Sequence, residues 1–490
     1  MNGRLKKFGL VSVGAVAGVL ISLGITAVAQ RDARLPLPLE ELRQFSDVFG
    51  AIKANYVEPV EDKKLITEAI SGMLSGLDPH SAYLDADAFR EMQVGTQGEF
   101  GGLGIEVGME DGFVKVVSPI EDTPAARAGI KSGDLIVKID EKPTKGMPLN
   151  DAVKLMRGKP KTQVVLTVSR KGEPRPLVIP ITRDVIRVQS VKSKMIEPGY
   201  GYVRVTQFQE HTADNLVKHI DALYKQGSLK GLVLDLRNDP GGLLHGAVGV
   251  SAAFLPPKVV VTSTDGRTEE AKRKYLASPE DYLRGTREDY IQKLPAAVKT
   301  VPMVVLVNGG SASASEIVAG ALQDHKRAVV IGTQTFGKGS VQSILPLTNN
   351  TAIKLTTARY YTPSGRSIQA KGITPDFLVE ETPEGDISSA FRLREADLNR
   401  HLSNPKEGEE KPSAVPKAAP AAPEAKDDKA KERKPIEFGS AEDFQLQQAM
   451  NHLKGQPVMV AKAKDENGKV KDDEAKAVEG AKAGEGGKAK

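Results

Sequence analysis

The stretch 301–332 constrains the fold more than any other part of this sequence. An apolar, β-branched run at 301–307 is typical of a buried strand, and a second such run follows at 329–332. Between them, the turn Asn308-Gly309-Gly310 leads into a helix over 314–323 whose apolar side chains share one face. Earlier in the chain, strands at 202–208 and 231–236 flank a helix at 213–226. This alternation of strands and helices predicts an α/β fold.

Three serines lie where the first of these strands gives way to the helix: Ser311, Ser313 and Ser315. A serine at the start of a helix lies at the positive end of the helix dipole, which favours developing negative charge. The backbone N–H of the next residue can also point at an oxyanion. The alternative is an ordinary helix cap, because serine is a preferred N-cap residue. Taken alone, this junction favours the cap.

A single lysine between glycines follows the second strand, in the segment Thr335-Phe336-Gly337-Lys338-Gly339. Burial disfavours a charged ammonium group, so a lysine on a buried strand here can be neutral near neutral pH and accept a proton from serine. Serine–lysine pairs are known variants of the catalytic triad. Gln342 lies four residues further on and, in an extended segment, on the same face, where it can hold the lysine amine by a hydrogen bond.

Two other motifs compete with this interpretation. The segment 332–338 fits the first positions of a phosphate-binding loop, but Gly339 stands where that motif requires Ser or Thr, and a strand-like pattern follows. A histidine triad through His325 fails because this residue lies at the far end of the helix that begins beside Ser313, roughly 18 Å along its axis. A nucleotide site and a histidine base are therefore disfavoured.

The serine–lysine spacing resembles that of the carboxy-terminal processing proteases, also called tail-specific proteases. The resemblance implies that Ser313 is the nucleophile, Lys338 the general base and Gln342 the residue that orients the lysine. Ser311 and Ser315 then become structural neighbours. This resemblance implies an acyl-enzyme mechanism that needs no cofactor.

The same resemblance implies an oxyanion hole made of two backbone N–H groups. One belongs to Ala314, directly after the proposed nucleophile. The other belongs to Gly241, or alternatively to Gly242, in the turn 237–242 that follows the strand 231–236. Glycine permits backbone conformations that direct an N–H group outward.

A second resemblance, to PDZ domains, covers 96–184. The glycine-rich segment 101–107 resembles the carboxylate-binding loop and the strand after it, while 124–130 and 133–136 resemble the next helix and strand. Such a turn frees consecutive N–H groups to bind a terminal carboxylate, and an exposed strand edge accepts a peptide as an added strand. The binding residues that the resemblance implies are Gly102, Leu103, Gly104 and Ile105.

Apolar side chains on the helix 149–156 predict a preference for apolar C-termini. Arg157 closes this helix, and the resemblance implies that it touches the protease core and reports whether the PDZ groove is occupied; an ordinary surface arginine is an equal alternative. His80 lies in a segment, 77–84, that the family also carries. We interpret it as structural because it sits in a proline-containing turn.

The N-terminus predicts export. Three basic residues precede an uncharged apolar run over 8–29 that ends in Ala27-Val28-Ala29, which resembles a signal-peptide cleavage site. The run is also long enough to span a bilayer. The expected location is therefore the periplasm, either as a soluble protein or anchored to the inner membrane through 1–30.

Composition excludes several other classes of protein. The absence of cysteine excludes disulfides and thiolate catalysis. The seven histidines are scattered without ligand spacing, so no metal site is expected. A net charge of +5 is small for 490 residues, and no block of basic and aromatic residues suggests nucleic acid as a partner.

Five regions are therefore predicted along the chain. The low-complexity tail is too polar to bury a core, apart from one short amphipathic helix at 443–453, and is expected to be disordered. The charged segment 264–297 is either the rim of a substrate channel or an interaction helix. The regions are a signal peptide or anchor (1–30), a helical module (31–95), an inserted PDZ domain (96–184), an α/β serine–lysine protease core (185–380) and the tail (381–490).

Together these features predict an exported serine endopeptidase that binds protein C-termini through its PDZ domain and cleaves near them. The expected partners are protein substrates with accessible, apolar C-termini; an adaptor or activator protein and a homo-oligomer remain open. The alternative is a catalytically silent PDZ adaptor that binds the C-termini of periplasmic clients. The presence of all three proposed site residues argues against it.

Overall fold

The computed structural model describes residues 38–120, 122–285, 288–383, 393–404 and 437–460. The predicted export signal at 1–30 and the predicted disorder of most of the tail fall outside these residues. No helix in the described part of the chain is long and apolar enough to cross a membrane. The chain divides into two compact units, with the boundary between Gly72 and Met73.

Three helices make up most of the predicted helical module: α1 (Leu39–Asn55), α2 (Asp62–Ser75) and α3 (Ala86–Gln97). The helical prediction is wrong between α2 and α3, where Ala82–Leu84 form strand β1. This strand is extended because its backbone pairs with a strand of the protease core, Ala82 lying opposite Lys354. Local periodicity cannot reveal a partner so distant in sequence.

The predicted PDZ region folds around its own apolar core. Its two helices are α4 (Pro124–Arg127) and α5 (Leu149–Met156). The strands are β2 (Glu99–Gly102), β3 (Ile105–Glu110), β4 (Phe113–Pro119), β5 (Leu135–Ile139), β6 (Lys142–Pro143), β7 (Gln163–Ser169), β8 (Leu177–Thr182) and β9 (Asp184–Arg187). The main sheet is antiparallel, with the order β3-β4-β5-β7-β8, so β3 lies at an edge; β6 pairs with β5, and β2 pairs with β9 outside this sheet.

In its described residues, the protease core contains two sheets and four α-helices. The helices are α6 (Thr212–Gln226), α7 (Leu244–Phe254), α8 (Pro279–Tyr282) and α9 (Ala314–Asp324). The strands are β10 (Val191–Glu197), β11 (Tyr200–Val205), β12 (Gly231–Asp235), β13 (Val260–Gly266), β14 (Arg273–Leu276), β15 (Met303–Val307), β16 (Val329–Gly332), β17 (Ser340–Pro346), β18 (Ala352–Tyr361) and β19 (Phe377–Leu378).

The central sheet has the order β10-β11-β12-β15-β16-β19, and every neighbouring pair after β10–β11 is parallel. Every residue of β12 and β15 is buried, which explains why these strands are continuous apolar runs rather than alternating ones: both faces of the sheet are covered. The predicted α/β core is confirmed. Strands β1, β18, β13 and β14 form the second sheet, with β17 paired to β18.

The predicted end of the core near residue 380 is too early. The tail helix is observed as α10 (Phe444–Leu453), and its buried Leu446, Ala449 and Met450 join an apolar cluster with side chains of the central sheet. Just before it, Asp443 accepts hydrogen bonds from the fully buried guanidinium of Arg237 at 2.8 and 2.6 Å. The apolar periodicity predicted this helix but not where it docks, because Arg237, which pairs with Asp443, follows strand β12, far away in the sequence.

The segment 264–297, for which the sequence left two roles open, packs on the core in its described part. Strand β14 pairs with β13, and the rings of Tyr282 and Tyr290 lie 5.6 Å apart against the main apolar cluster. The Tyr282 hydroxyl donates to Asp289 at 2.9 Å. These tyrosines therefore act as packing residues.

Candidate active site

Two loops that leave neighbouring parallel strands meet at one edge of the central sheet. Strand β12 leads into the turn containing Gly241, and β15 leads into the turn containing Ser313; because the strands are parallel, both turns lie at their carboxyl ends. Two serines that flank Ser313 link the two turns by hydrogen bonds. The Ser311 hydroxyl donates to Leu236 O at 2.8 Å, and the Ser315 hydroxyl donates to Asp239 O at 2.9 Å.

Ser313 is held in an unusual backbone conformation at the mouth of α9. Its φ of 57° and ψ of −110° lie in a region that residues other than glycine rarely adopt, at a cost of about 1–3 kcal/mol. The side chain is 4% exposed. No acceptor lies within hydrogen-bond distance of the Ala314 N–H among the described residues, so this donor is available to an oxyanion.

A buried carboxylate that the sequence analysis did not identify joins the serine turn to the lysine loop. Glu316 Oε2 accepts the backbone N–H of Ser313 at 2.8 Å and that of Lys338 at 2.9 Å. Its other oxygen accepts from Gly337 N at 2.7 Å and from the Thr335 hydroxyl at 2.5 Å. Burial raises the pKa of Glu316 to about 7, and these four donors oppose the rise. The Ser-x-x-Glu spacing of a capping box was the signal that could have revealed it.

Lys338 lies in the loop between β16 and β17, not on a strand as predicted: its backbone N–H donates to Glu316, and that of Gly339 donates to the Gln369 side chain. Its Nζ donates to Gln342 Oε1 at 2.5 Å, as the resemblance implied. Burial lowers the pKa of Lys338 to about 8, although part of the side chain remains accessible. The charges that also act on it are those of Glu395, which raises the pKa, Lys354, which lowers it, and Glu316 and Asp78, which raise it.

Gln342 is itself fixed by two hydroxyl groups. Its Nε2 donates to Ser340 Oγ at 3.0 Å and to Thr356 Oγ1 at 3.3 Å, which directs Oε1 towards the lysine. The Thr356 hydroxyl in turn donates to Asp78 at 3.1 Å. Thr356 was missed because its role depends on strand pairing across the second sheet.

The backbones of Ser313 and Lys338 both donate to Glu316, but the two side chains do not hydrogen-bond to each other in this structure. The hydrogen bond of Ser313 Oγ is with the hydroxyl of Tyr360, at 3.3 Å, and that of Lys338 Nζ is with Gln342. Catalytic hydrogen bonds often form only when substrate is present. The Phe336 N–H donates to Ser311 O at 3.0 Å, so the two loops are also in direct backbone contact.

Gly241 lies against the nucleophile turn. A Cβ at this position, where φ is 94°, would lie 2.6 Å from Ala312 O and 2.8 Å from Ala314 N, so a side chain cannot be accommodated. Its N–H, which the resemblance assigned to the oxyanion hole, donates here to Asp239 Oδ1 at 2.8 Å. Burial raises the pKa of Asp239 to about 8. The alternative donor, Gly242, has no acceptor for its N–H among the described residues.

His80 takes part in a network behind the lysine rather than touching the nucleophile. Its Nε2 lies 2.8 Å from Glu395 Oε2, and the Glu395 N–H donates to Phe336 O at 3.1 Å. Nearby, Asp78 accepts from the Ser81 hydroxyl at 2.7 Å. This geometry agrees with the structural interpretation of His80. Glu395 was missed because it lies beyond the predicted end of the core.

The four residues of the predicted carboxylate loop run from the end of β2 to the start of edge strand β3. Gly102, Leu103 and Gly104 are buried, and the backbone at Gly104 has φ of 77°, with the Thr123 side chain 2.3 Å from where a Cβ would stand. Ile105 begins the strand edge that a peptide would extend. Arg157 is exposed and places its guanidinium 4.7 Å from the centre of the Phe100 ring. Its regulatory role stays a prediction.

No group of His, Cys, Asp or Glu side chains within the described residues is arranged to hold a metal ion.

Comparisons with known proteins agree with this architecture. The family model described as peptidase family S41 matches 199–379, a PDZ domain model matches 101–181, and a model of the activating protease CtpB N-terminal domain matches 14–88. The first two matches fall inside the predicted core and PDZ domain.

Curated relatives cover most of the chain. A carboxy-terminal-processing protease of Bartonella bacilliformis is 48% identical over 400 residues, covering 80% of this chain and 88% of the relative. The carboxy-terminal processing protease CtpA of Bacillus subtilis is 35% identical over 385 residues, covering 78% of each. Among solved structures, the photosystem II D1 C-terminal processing protease is 30% identical and covers 67% of this chain and 88% of its own, with a TM-score of 0.39. The chain therefore belongs to the carboxy-terminal processing proteases of peptidase family S41, and it is a serine protease with a PDZ domain.

Proposed function

We propose that this protein is an exported endopeptidase that cleaves proteins near their C-termini with a Ser313–Lys338 dyad. The observation that carries the proposal is the lysine itself: a buried amine of lowered pKa, held by Gln342 on a loop that shares Glu316 with the serine turn. The basic and apolar pattern of the N-terminus supports export to the periplasm.

In this mechanism neutral Lys338 takes the proton of Ser313 as Oγ attacks the scissile carbonyl carbon. The oxyanion that forms accepts a hydrogen bond from the Ala314 N–H and a second from the 241–242 turn. Gly242 can serve directly, whereas Gly241 must first exchange its bond to Asp239. Collapse of the intermediate expels the amine, which takes the proton from Lys338, and water then hydrolyses the acyl-enzyme. Removing one oxyanion donor typically costs about 3 kcal/mol of transition-state stabilisation.

A covalent probe tests this assignment. A fluorophosphonate, which reacts with activated serines, should label the purified protein at Ser313, identified by mass spectrometry of the digested chain. Ser313→Ala should remain unlabelled. Absence of labelling in the parent protein, or labelling at another serine, would contradict the proposal, and the first of these is what a silent PDZ adaptor would give.

The labelling rate should depend on pH through Lys338. A protonated amine cannot accept the serine proton, so the rate should rise about tenfold per pH unit on the acid side and level off above pH about 8, the lowered pKa of this lysine. The measurement is the pseudo-first-order labelling rate across the pH range, with thermal stability followed in parallel as control. A rate that does not change between mildly acidic and alkaline pH would rule out a lysine base of this pKa.

We also propose that edge strand β3 and the adjoining loop bind apolar C-termini of substrates. Peptides with a free terminal carboxylate should bind the Ser313→Ala protein, and C-terminal amidation should weaken binding by about ten- to hundredfold, because charge-assisted hydrogen bonds to the loop are lost. Fluorescence anisotropy of labelled peptides measures this difference. Equal affinity of the acid and amide forms would exclude carboxylate recognition.

A further inference from the structure

Tyr360 contacts the proposed nucleophile, Ser313. Its hydroxyl lies 3.3 Å from Ser313 Oγ. Among the side chains that the structure describes, Tyr360 is the one that hydrogen-bonds to this oxygen. The residue is 5% exposed. Its backbone N–H donates to Gly339 O at 2.8 Å, so Tyr360 is also attached to the loop that carries Lys338.

The strand that carries Tyr360 serves both parts of the proposed dyad. Both Thr356 and Tyr360 lie on β18, on either side of the point where its register with β17 shifts. The Thr356 hydroxyl accepts a hydrogen bond from Gln342, whose Oε1 accepts one from Lys338. The Tyr360 hydroxyl hydrogen-bonds to Ser313 Oγ. One strand thus contacts both the residue that orients the lysine and the proposed nucleophile.

The protonation state of Tyr360 decides what its hydroxyl can do. Burial raises the pKa of Tyr360 to about 12, so the phenol stays neutral between about pH 8, the lowered pKa of Lys338, and about pH 12. A phenol can donate one hydrogen bond, and a serine oxygen has two lone pairs to accept it. If Ser313 donated to Tyr360 instead, its proton would point away from the base.

We propose that Tyr360 is a catalytic hydrogen-bond donor to Ser313 Oγ, an inference that rests on the serine–lysine mechanism proposed above. The phenol occupies one lone pair of Oγ, leaves the serine proton free to turn towards Lys338, and stabilises the negative charge that Oγ acquires as this proton leaves. The present 3.3 Å contact is longer than the 2.7–2.8 Å typical of hydroxyl pairs. It shortens as charge develops on the acceptor.

In the acylation step no proton is transferred from Tyr360. The Oγ–H bond breaks and the proton moves to the lone pair of the Lys338 amine, while Oγ forms a bond to the carbonyl carbon and the carbonyl π pair moves to the oxygen. On collapse the C–N bond breaks, and the leaving nitrogen takes the proton from Lys338. Tyr360 keeps its own proton throughout and donates to Oγ in each state.

The test is the fluorophosphonate labelling rate of Tyr360→Phe across the pH range, with Tyr361→Phe, its neighbour on the same strand, as the matched control. We expect Tyr360→Phe to label about tenfold more slowly at every pH, the loss expected for one hydrogen bond, with the same midpoint. Tyr361→Phe should match the parent protein. A parental rate in Tyr360→Phe, or a shifted midpoint in place of a uniform loss, would overturn the inference.

Two further variants separate this inference from the mechanism on which it rests. If Ser313→Ala and Lys338→Ala do not label but Tyr360→Phe labels normally, only the role of Tyr360 is wrong. If Lys338→Ala labels at the parental rate, the dyad itself is wrong.

A stability cycle tests the bond without requiring activity. Thermal unfolding of Ser313→Ala, Tyr360→Phe and the double variant should show a smaller combined shift in Tm than the sum of the single shifts, because the two hydroxyls are partners. Additive shifts would show that they do not interact and would overturn the inference.

Discussion

Replacing Lys338 with alanine is expected to lower kcat for peptide hydrolysis by about 10⁶-fold, the loss seen when the base of a catalytic triad is removed. The reason is geometric as well as chemical: the amine bonded to Gln342 is the proposed base on the loop that Glu316 joins to the Ser313 turn. The measurement is steady-state hydrolysis of an unstructured polypeptide with an apolar C-terminus. The intact fold should be verified by an unchanged Tm.

Lys299 provides a matched control for this experiment. Burial, reinforced by the nearby charge of Arg327, lowers its pKa to about 8 as well, but its Nζ donates to Leu255 O at 2.7 Å, just past the C-terminus of α7. Lys299→Met should therefore lower Tm while leaving kcat unchanged. If Lys338→Ala retained activity within tenfold of the parent, or if Lys299→Met lost it to the same extent, the base would have been assigned to the wrong residue.

Replacing Asp443 with alanine is expected to destabilise the protease core by about 3–5 kcal/mol, because it removes one partner of a buried ion pair. Arg237 would keep its bonds to Asp235, the shorter of them 2.6 Å, which places the expected loss nearer the lower value. Asp443 also accepts from Leu446 N at 3.2 Å and so caps α10. Urea or thermal unfolding in the Ser313→Ala background measures the loss without self-digestion.

Lys454→Ala is the control for the tail helix. Lys454 Nζ pairs with Glu197 at 2.7 Å, but both side chains are accessible to solvent, so the change should cost less than about 1 kcal/mol. If the two variants were equally stable, the buried pair between Arg237 and Asp443 would contribute little, and α10 would be held by its apolar face alone.

The parts of the fold that the sequence predicted are those with strong local patterns. The apolar runs of β12, β15 and β16 and the periodicity of α9 set the α/β core, and the glycine-rich start of β3 identified the PDZ domain. The serine and lysine positions came from motif spacing. The contact between Lys338 and Gln342 was predicted from their separation of four residues, although the lysine lies in a loop.

The parts that escaped prediction depend on contacts between distant segments. Glu316 belongs to a recognisable capping box, but nothing in the local sequence shows that its carboxylate also binds the loop of Lys338. Tyr360 looks like any residue of an alternating strand until β18 is placed beside the nucleophile. Asp443 lies in a polar segment, and its role as ion-pair partner of the buried Arg237 becomes visible only in the structure.

The docking of α10 on the central sheet has a consequence for the order in which this protein can be made. A chain is synthesised from its N-terminus, and domains generally fold as units while they emerge. The PDZ domain can close its core early, but the part of the central sheet that α10 covers stays exposed until residues 437–460 can pack on it. Until then Arg237, which lies a few residues before the Gly241 turn, lacks its partner Asp443. A product truncated before residue 437 would therefore expose this part of the sheet and leave Arg237 without its Asp443 partner.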